Sequence, residues 1–255
     1  MVETKTRKEL PNFGYIANVK FPIEEILKLC ESLDLLNFEN YNDIKVSSNS
    51  KQSLFVRVNA FNKNSFFKEE DAAELEGEKY RQIYLTELDP KYLDQPLDLS
   101  SNNSRMARQR RLDPGSENYN PVADELNYNT RNKLVTGLFE TILDSFSDQV
   151  TRVRLAYLSP NFSIKPHVDY DPSYITRLHL PIITNPDCHM HVFRNNVEYR
   201  AHYPADGRLY FLNAGLKHFA SNSSNEGRLH LIIDMHGQNS LKDLVELECV
   251  EVSKE

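Results

Sequence analysis

Residues 228–235 read RLHLIIDM. In an extended chain successive side chains point to opposite faces. Leu229, Leu231, Ile233 and Met235 therefore share one face, and Arg228, His230, Ile232 and Asp234 share the other. The first face is apolar throughout and belongs against a core. The second carries two charges and an imidazole, in a sheet that should be buried. A mostly polar face in such a sheet points to a polar cavity inside a barrel.

The chain around this strand has the same texture. From residue 151 onward it reads as short strands separated by turns, at 152–158, 166–170, 176–184, 188–194, 207–213 and 228–235, with no helix-period run between them. Several short strands at regular spacing indicate an antiparallel sandwich or barrel.

The first half differs. Pro22 opens a helical pattern in which Ile23, Ile26, Leu27, Cys30 and Leu33 recur at helical spacing, and proline at the first helical position is a normal start. Residues 53–60 alternate as a strand. Leu134, Val135, Leu138, Phe139, Ile142, Leu143 and Phe146 form an apolar stripe that predicts a helix over 130–148, a packing face without chemistry. Residues 1–10 are polar, a loose end or an edge strand. Residues 96–128, rich in Ser, Asn, Pro and Arg, read as a long loop of the kind that forms lids or disordered segments. The expected plan is one domain, 1–255: a helical and mixed support to residue 150 with a lid at 96–128, an all-β core over 151–237, and a tail over 238–255. The helices cover one sheet.

Bulk properties narrow the class. The chain has 255 residues and a net charge of −7, which disfavours a general nucleic-acid binder, whose surface is basic. Its three cysteines, Cys30, Cys188 and Cys249, are scattered and form no CxxC pair, which fits a reducing compartment better than a disulfide framework or thiolate zinc site. The N-terminus MVETKTRKEL lacks the apolar run of a secretory signal. No window of about 18 apolar residues predicts a transmembrane helix. The expectation is a cytoplasmic protein without membrane or nucleic-acid partners.

All eight histidines lie after residue 166. His167-Val168-Asp169 is followed by His218, and ten residues later by Arg228. On a strand, His-x-Asp places both side chains on one face. Two histidines and a carboxylate hold a metal and leave its opposite side open, the arrangement used for non-haem Fe(II) that activates O₂. Arg228 adds a fork-shaped cation for the carboxylate of a co-substrate chelating the same iron. Each residue also has a plainer reading. His-x-Asp is common in surface loops, His218 could cap a strand, and Arg228 could pair with Asp234 or with an N-terminal acid. Arg177 and His179 share a face in RLHLPI and could line the same cavity or an exposed edge. His189 and His191 read as solvent or packing histidines. The basic run holding Arg105, Arg108, Arg110 and Arg111 is a solvated loop unless it folds over the cavity mouth, where it would meet an anionic substrate.

The stretches IKPHVDYD, RLHLPIIT, GRLYFLNAGLKHFASN and GRLHLIIDMHG, between Arg154 and His236, resemble the aspartyl/asparaginyl β-hydroxylase branch of the Fe(II)/2-oxoglutarate dioxygenases. The resemblance covers about the C-terminal third. It implies a double-stranded β-helix (a jelly roll, cupin-like) with helices on its larger sheet, and His167, Asp169 and His218 as iron ligands. It implies Arg228 on the distal carboxylate of 2-oxoglutarate, and Arg177 and His179 near the co-substrate or substrate carboxylate. Asn222 and Asp234 also match the family pattern. Asn222, with Arg108 and Arg111, is a candidate substrate contact. The implied reaction uses Fe(II), 2-oxoglutarate and O₂ to hydroxylate an unactivated C–H bond of a free or peptidyl amino acid, releasing succinate and CO₂.

Two departures stand out. Animal protein-modifying members lack the metal carboxylate, whereas this chain has Asp169, which leans toward microbial members acting on free amino acids such as proline and argues against halogenation. Where some members place a serine against the co-substrate, eleven residues before the first metal histidine, this chain has Ala156, so Tyr157 or Tyr210 must serve instead, or no hydroxyl does. The competing readings are a His₂Asp zinc hydrolase, for which Arg228 has no evident use, and a non-catalytic cupin-like binding module.

Overall fold

A computed structural model describes residues 4–37, 79–94 and 124–252, with isolated positions between 115 and 122. The expected strand at 53–60 and the basic run 105–111 lie outside the described residues.

The strands are β1 (Phe13–Ile16), β2 (Tyr80–Tyr84), β3 (Thr86–Glu87), β4 (Thr130–Arg131), β5 (Gln149–Leu158), β6 (Phe162–Ser163), β7 (Thr176–Ile183), β8 (Cys188–Arg194), β9 (Val197–Ala201), β10 (Tyr210–Leu212), β11 (Lys217–Asn222), β12 (Arg228–His236), β13 (Leu244–Glu246) and β14 (Val250–Glu251). The two α-helices among the described residues are α1 (Ile23–Ser32) and α2 (Leu138–Asp144). A seven-stranded sheet runs β13-β1-β10-β7-β12-β5-β2, and a five-stranded sheet runs β14-β9-β8-β11-β6. Their pairings are antiparallel throughout. From β5 to β12 the chain passes from sheet to sheet after nearly every strand, which is the winding of a double-stranded β-helix.

The strand that opened the sequence reading lies inside the larger sheet, between β7 and β5. Its residues 228–235 are all buried, because each face has its own cover. Leu229, Leu231, Ile233 and Met235 pack with Ile26 and Cys30 of α1 and with Phe139, Ile142 and Leu143 of α2. The other face looks into the barrel. Truncating one of these core leucines to alanine should cost about 2–5 kcal/mol.

Several boundaries differ from the sequence reading. The stripe over 130–148 is core, but only 138–144 is α-helical. Thr130 and Arg131 pair with β3, the Asn132 side chain accepts the Leu134 N–H at 3.0 Å and donates to the Tyr84 carbonyl at 2.7 Å, and Gly137 has φ +55. These contacts hold 132–137 as a turn while Leu134 and Val135 still reach the core. Residues 166–170 form no ladder, only the isolated bridge between His167 and His218. The strand expected from 207 starts at 210. The tail supplies β13 and β14, the edge strands of the two sheets.

A bulge interrupts the pairing of β12 with β5 between Ile232 and Asp234. Arg152 sits there with φ +47. Its N–H donates to Tyr128 O at 2.8 Å. The extra residue lets both Arg152 and Arg154 turn toward buried carboxylates, consistent with bulges that re-aim side chains.

Candidate metal and co-substrate site

His167 and Asp169 lie in the loop between β6 and β7, and His218 lies near the start of β11. Backbone bonds in both directions, at 2.9 and 2.8 Å, join His167 to His218. Asp169 N–H donates to Ala214 O at 3.0 Å. These bonds bring the three side chains together although 167–170 is no strand. One ligand atom from each of His167, Asp169 and His218 falls in a group within 4.8 Å. The Nε2 atoms of His167 and His218 stand 3.9 and 3.8 Å from the Asp169 carboxylate. An ion bonded at about 2.1 Å to each of two ligands spans up to about 4 Å between them.

The other ring nitrogens confirm the orientation. His167 Nδ1 faces Lys165 O and His218 Nδ1 faces Leu216 O, each at 2.9 Å. A carbonyl only accepts, so the proton belongs on Nδ1 and each Nε2 turns a lone pair toward Asp169. Burial, followed by His167, pushes the His218 imidazole down to about 3, so it stays neutral and available as a ligand near pH 7. The donor set fits a divalent cation: two imidazoles presenting Nε2, a carboxylate and a partly exposed outer side.

Behind this cluster lies an unusual density of buried charge. Asp234, fully buried, accepts Arg177 Nε at 2.6 Å and Nη2 at 3.0 Å, and Arg154 Nη1 at 2.9 Å. Burial raises its carboxyl, and the guanidinium groups of Arg177 and Arg154 more than offset that, holding it well below the ordinary carboxylate range. Arg177 Nη1 also bonds Asp169. Arg152 pairs with Glu125. Sequence placed Arg177 near a co-substrate or substrate carboxylate; here the carboxylates of Asp234 and Asp169 occupy its fork, and it props Asp169.

Arg228 is the exception. It is 2% exposed, and among the described residues no carboxylate pairs with it. Its Nη1 approaches Met190 Sδ at 3.4 Å and its Nε has no partner. Burial lowers its affinity for a proton, though a guanidinium remains charged. Of the plainer readings, a salt bridge to Asp234 does not form, since Asp234 pairs with Arg177 and Arg154 instead; a pair with an N-terminal acid among residues 38–78 lies outside the described residues. His179 and His230 share the interior, with Nδ1 atoms 3.5 Å apart and both Nε2 atoms unpartnered. Burial first, then Arg228, hold both imidazoles well below their ordinary value. Orphaned polar atoms in a buried pocket are costly unless a ligand answers them.

The remaining expectations resolve differently. Asn222 is not placed to meet a substrate. Its Nδ2 donates to Leu158 O, Ser159 O and Glu226 O at 3.3, 3.1 and 2.7 Å, and its Oδ1 accepts from Cys188 Sγ and Ser224 N–H. It ties the turn before β12 to the end of β5. Tyr157 faces the helix-covered core. Tyr210 donates its hydroxyl to Asp206 at 3.0 Å. Arg108 and Arg111 lie outside the described residues. His189 and His191 point out of the smaller sheet, His191 between Glu198 and Ser221 at 2.8 Å each. Sequence reasoning gave no role to Arg154, whose signal was a charged residue alternating with Ala156 and Leu158 in an apolar run.

Fold and site together define a double-stranded β-helix with a His-x-Asp…His cluster at its mouth and an arginine deep in its hollow. Residues 127–237 match the family described as aspartyl/asparaginyl beta-hydroxylase. Over 100 residues it is 38% identical to L-proline cis-4-hydroxylase of Rhizobium meliloti (strain 1021), a match covering 38% of this chain and 33% of the relative. The chain thus matches about a third of the length of that relative. Solved structures similar to it include a cupin domain from Bordetella pertussis Tohama I (TM-score 0.27, 16% identity, 34% of this chain and 80% of that one). Another is an oxidoreductase of the 2OG-Fe(II) oxygenase family from Burkholderia pseudomallei (TM-score 0.32, 12% identity, 62% and 66%).

Proposed function

We propose that the protein is an Fe(II)- and 2-oxoglutarate-dependent oxygenase that hydroxylates a C–H bond of an amino acid, with succinate and CO₂ as co-products. The observation that carries this reading is the pairing of a His₂-carboxylate cluster with a buried arginine that no carboxylate among the described residues answers. A zinc hydrolase needs the first of these features and not the second.

In this reading His167, Asp169 and His218 would hold Fe(II) through Nε2, a carboxylate oxygen and Nε2. Bound iron would supply the O₂ chemistry that oxidises 2-oxoglutarate and substrate. The protein's own part is positional. Arg177 holds Asp169 in place, and the Lys165 and Leu216 carbonyls fix both imidazole tautomers. Arg228 answers the distal carboxylate of the co-substrate, and the neutral His179 and His230 line the path to it without adding charge. A free small amino acid is the proposed substrate class. Proline is the first candidate, because the 38% identical relative is named a proline hydroxylase.

The test is an oxygen-dependent succinate-release screen over free amino acids with Fe(II) and 2-oxoglutarate. The reading expects succinate coupled to a product 16 mass units heavier than one substrate. Succinate production that does not require oxygen, or activity supported by zinc alone, would refute it.

A further inference from the structure

At the depth of Arg228, three strands build one row across the barrel wall. Leu158 of β5 stands opposite Arg228 of β12 on one side and opposite Tyr80 of β2 on the other. Ile83 of β2 packs in the helix-covered core. Alternation therefore turns Tyr80, Gln82 and Tyr84 toward the hollow. The Tyr80 ring packs against the inner cluster that includes Leu158, Met190 and Tyr203. Its hydroxyl has no hydrogen-bond partner among the described residues. Of the ionisable groups whose field reaches Arg228, the Tyr80 phenol is the foremost.

A carboxylate offers about four acceptor positions, and a guanidinium fork fills two of them. A distal carboxylate buried against Arg228 needs a further donor. Ala156 supplies none, Tyr210 is committed to Asp206, and Tyr157 faces away. We infer that Tyr80 is the second recognition group for the co-substrate, its hydroxyl donating to the distal carboxylate that Arg228 binds. This rests on the reading of Arg228 given above. Tyr80 lies outside the segment 127–237 that matches the family, on an edge strand of the larger sheet, so the donor missing from β5 comes from its neighbour. Burial raises the phenol above its ordinary value although Arg154, Arg177 and Arg228 oppose this, so the group remains a donor near pH 7. A dicarboxylate held at both ends, by metal and by the Arg228–Tyr80 pair, is selected for length.

The test compares wild type, Tyr80→Phe and Arg228→Gln by anaerobic calorimetric titration with 2-oxoglutarate in the presence of Mn(II). The same titrations use 2-oxopentanoate, which keeps the chelating end and lacks the distal carboxylate. Tyr80→Phe keeps the ring and its packing. A hydrogen bond to a charged acceptor corresponds to about tenfold to a hundredfold in affinity. The inference expects that loss for 2-oxoglutarate, no change for 2-oxopentanoate, and unaltered Mn(II) affinity. It is overturned if Tyr80→Phe binds 2-oxoglutarate as wild type does while Arg228→Gln does not, or if Tyr80→Phe weakens both ligands equally. Wild-type affinity in both variants would overturn the Arg228 reading itself, and this inference with it.

Discussion

Asp234 grips Arg177 through both carboxylate oxygens, at 2.6 and 3.0 Å, and the far end of that guanidinium rests on Asp169. A fully buried residue on β12 thus sets the orientation of a metal-ligand candidate in the loop after β6. The cluster is only as rigid as this support, since outer partners of metal ligands typically govern affinity by about 10–100-fold. Asp234→Asn should weaken Mn(II) or Co(II) binding by about that factor. It should also destabilise the fold by about 3–5 kcal/mol, because two buried guanidinium groups lose their counter-charge. Titration calorimetry and urea melts measure both. Metal affinity equal to wild type would remove Asp234 from the support of the site.

His167 and His218 should separate metal binding from stability. The His167 side chain is 33% exposed and that of His218 is 3% exposed, while the bridge between the two residues uses backbone atoms alone. His167→Ala should abolish binding of a single ion per chain at a stability cost of about 0.5 kcal/mol or less. His218→Ala should abolish it and also leave a void in the wall. Metal content by mass spectrometry, with melting curves on the metal-free proteins, tests this. Retention of stoichiometric metal by His167→Ala would exclude the proposed ligand set.

The site was legible where chemistry is local and obscure where it depends on register. Residue type and spacing singled out His167, Asp169 and His218, which the fold brings together, and the polar face of RLHLIIDM singled out Arg228, which is buried in the hollow. Arg177 was placed in the right cavity but given the wrong partner. Nothing in its strand reveals that Asp234 lies across from it, in register with β12. β11 was not among the expected strands, because its inner residues His218, Ala220 and Asn222 are small or polar, as a strand facing a hollow must be. β9 was missed although Asn195 and Asn196, both with φ near +60, mark the tight hairpin before it. The helix over 130–148 failed because apolar periodicity reports burial, and the turn held by Asn132 and Gly137 buries Leu134 and Val135 just as well.

Asn222 provides a test of structural against substrate roles. Its amide serves Leu158 O, Ser159 O and Glu226 O. Replacing it by alanine leaves the buried Leu158 carbonyl and the partly buried Ser159 and Glu226 carbonyls short of donors. Asn222→Ala should lower stability by about 1–3 kcal/mol, with KM for the amino-acid substrate within twofold of wild type at a temperature where the variant is folded. A large rise in KM without loss of stability would restore Asn222 to the substrate.

The buried imidazoles set the acid limit of the metal-free protein. His179 and His230 are held well below their ordinary value of 6.5, and His218 falls to about 3. The folded state refuses protons that the unfolded chain accepts below pH 6.5. Their contribution is therefore fully present above 6.5 and declines as pH falls from there. Each such histidine should remove about 1.4 kcal/mol between pH 7.5 and 5.5. Asp234, with its depressed pKa, works in the same direction but only below its unfolded value of 3.8, outside this window. Urea midpoints at the two pH values measure the effect. Equal midpoints would mean that these imidazoles are not neutral in the folded protein.

Arg228 should show stability and binding moving in opposite directions. In the metal-free, ligand-free protein it is a buried cation with a thioether, and no carboxylate among the described residues, against it. Replacing such a charge with an apolar side chain of similar volume is often neutral or stabilising by about 1–4 kcal/mol. Arg228→Met should therefore match or exceed the wild-type melting temperature while losing measurable binding of 2-oxoglutarate. A residue kept for the fold would behave in the reverse manner, with Arg228→Met melting early and binding whatever it still folds around. The combination expected here, a more stable barrel that no longer recognises a dicarboxylate, arises only if the cost of burying that guanidinium is offset by a ligand.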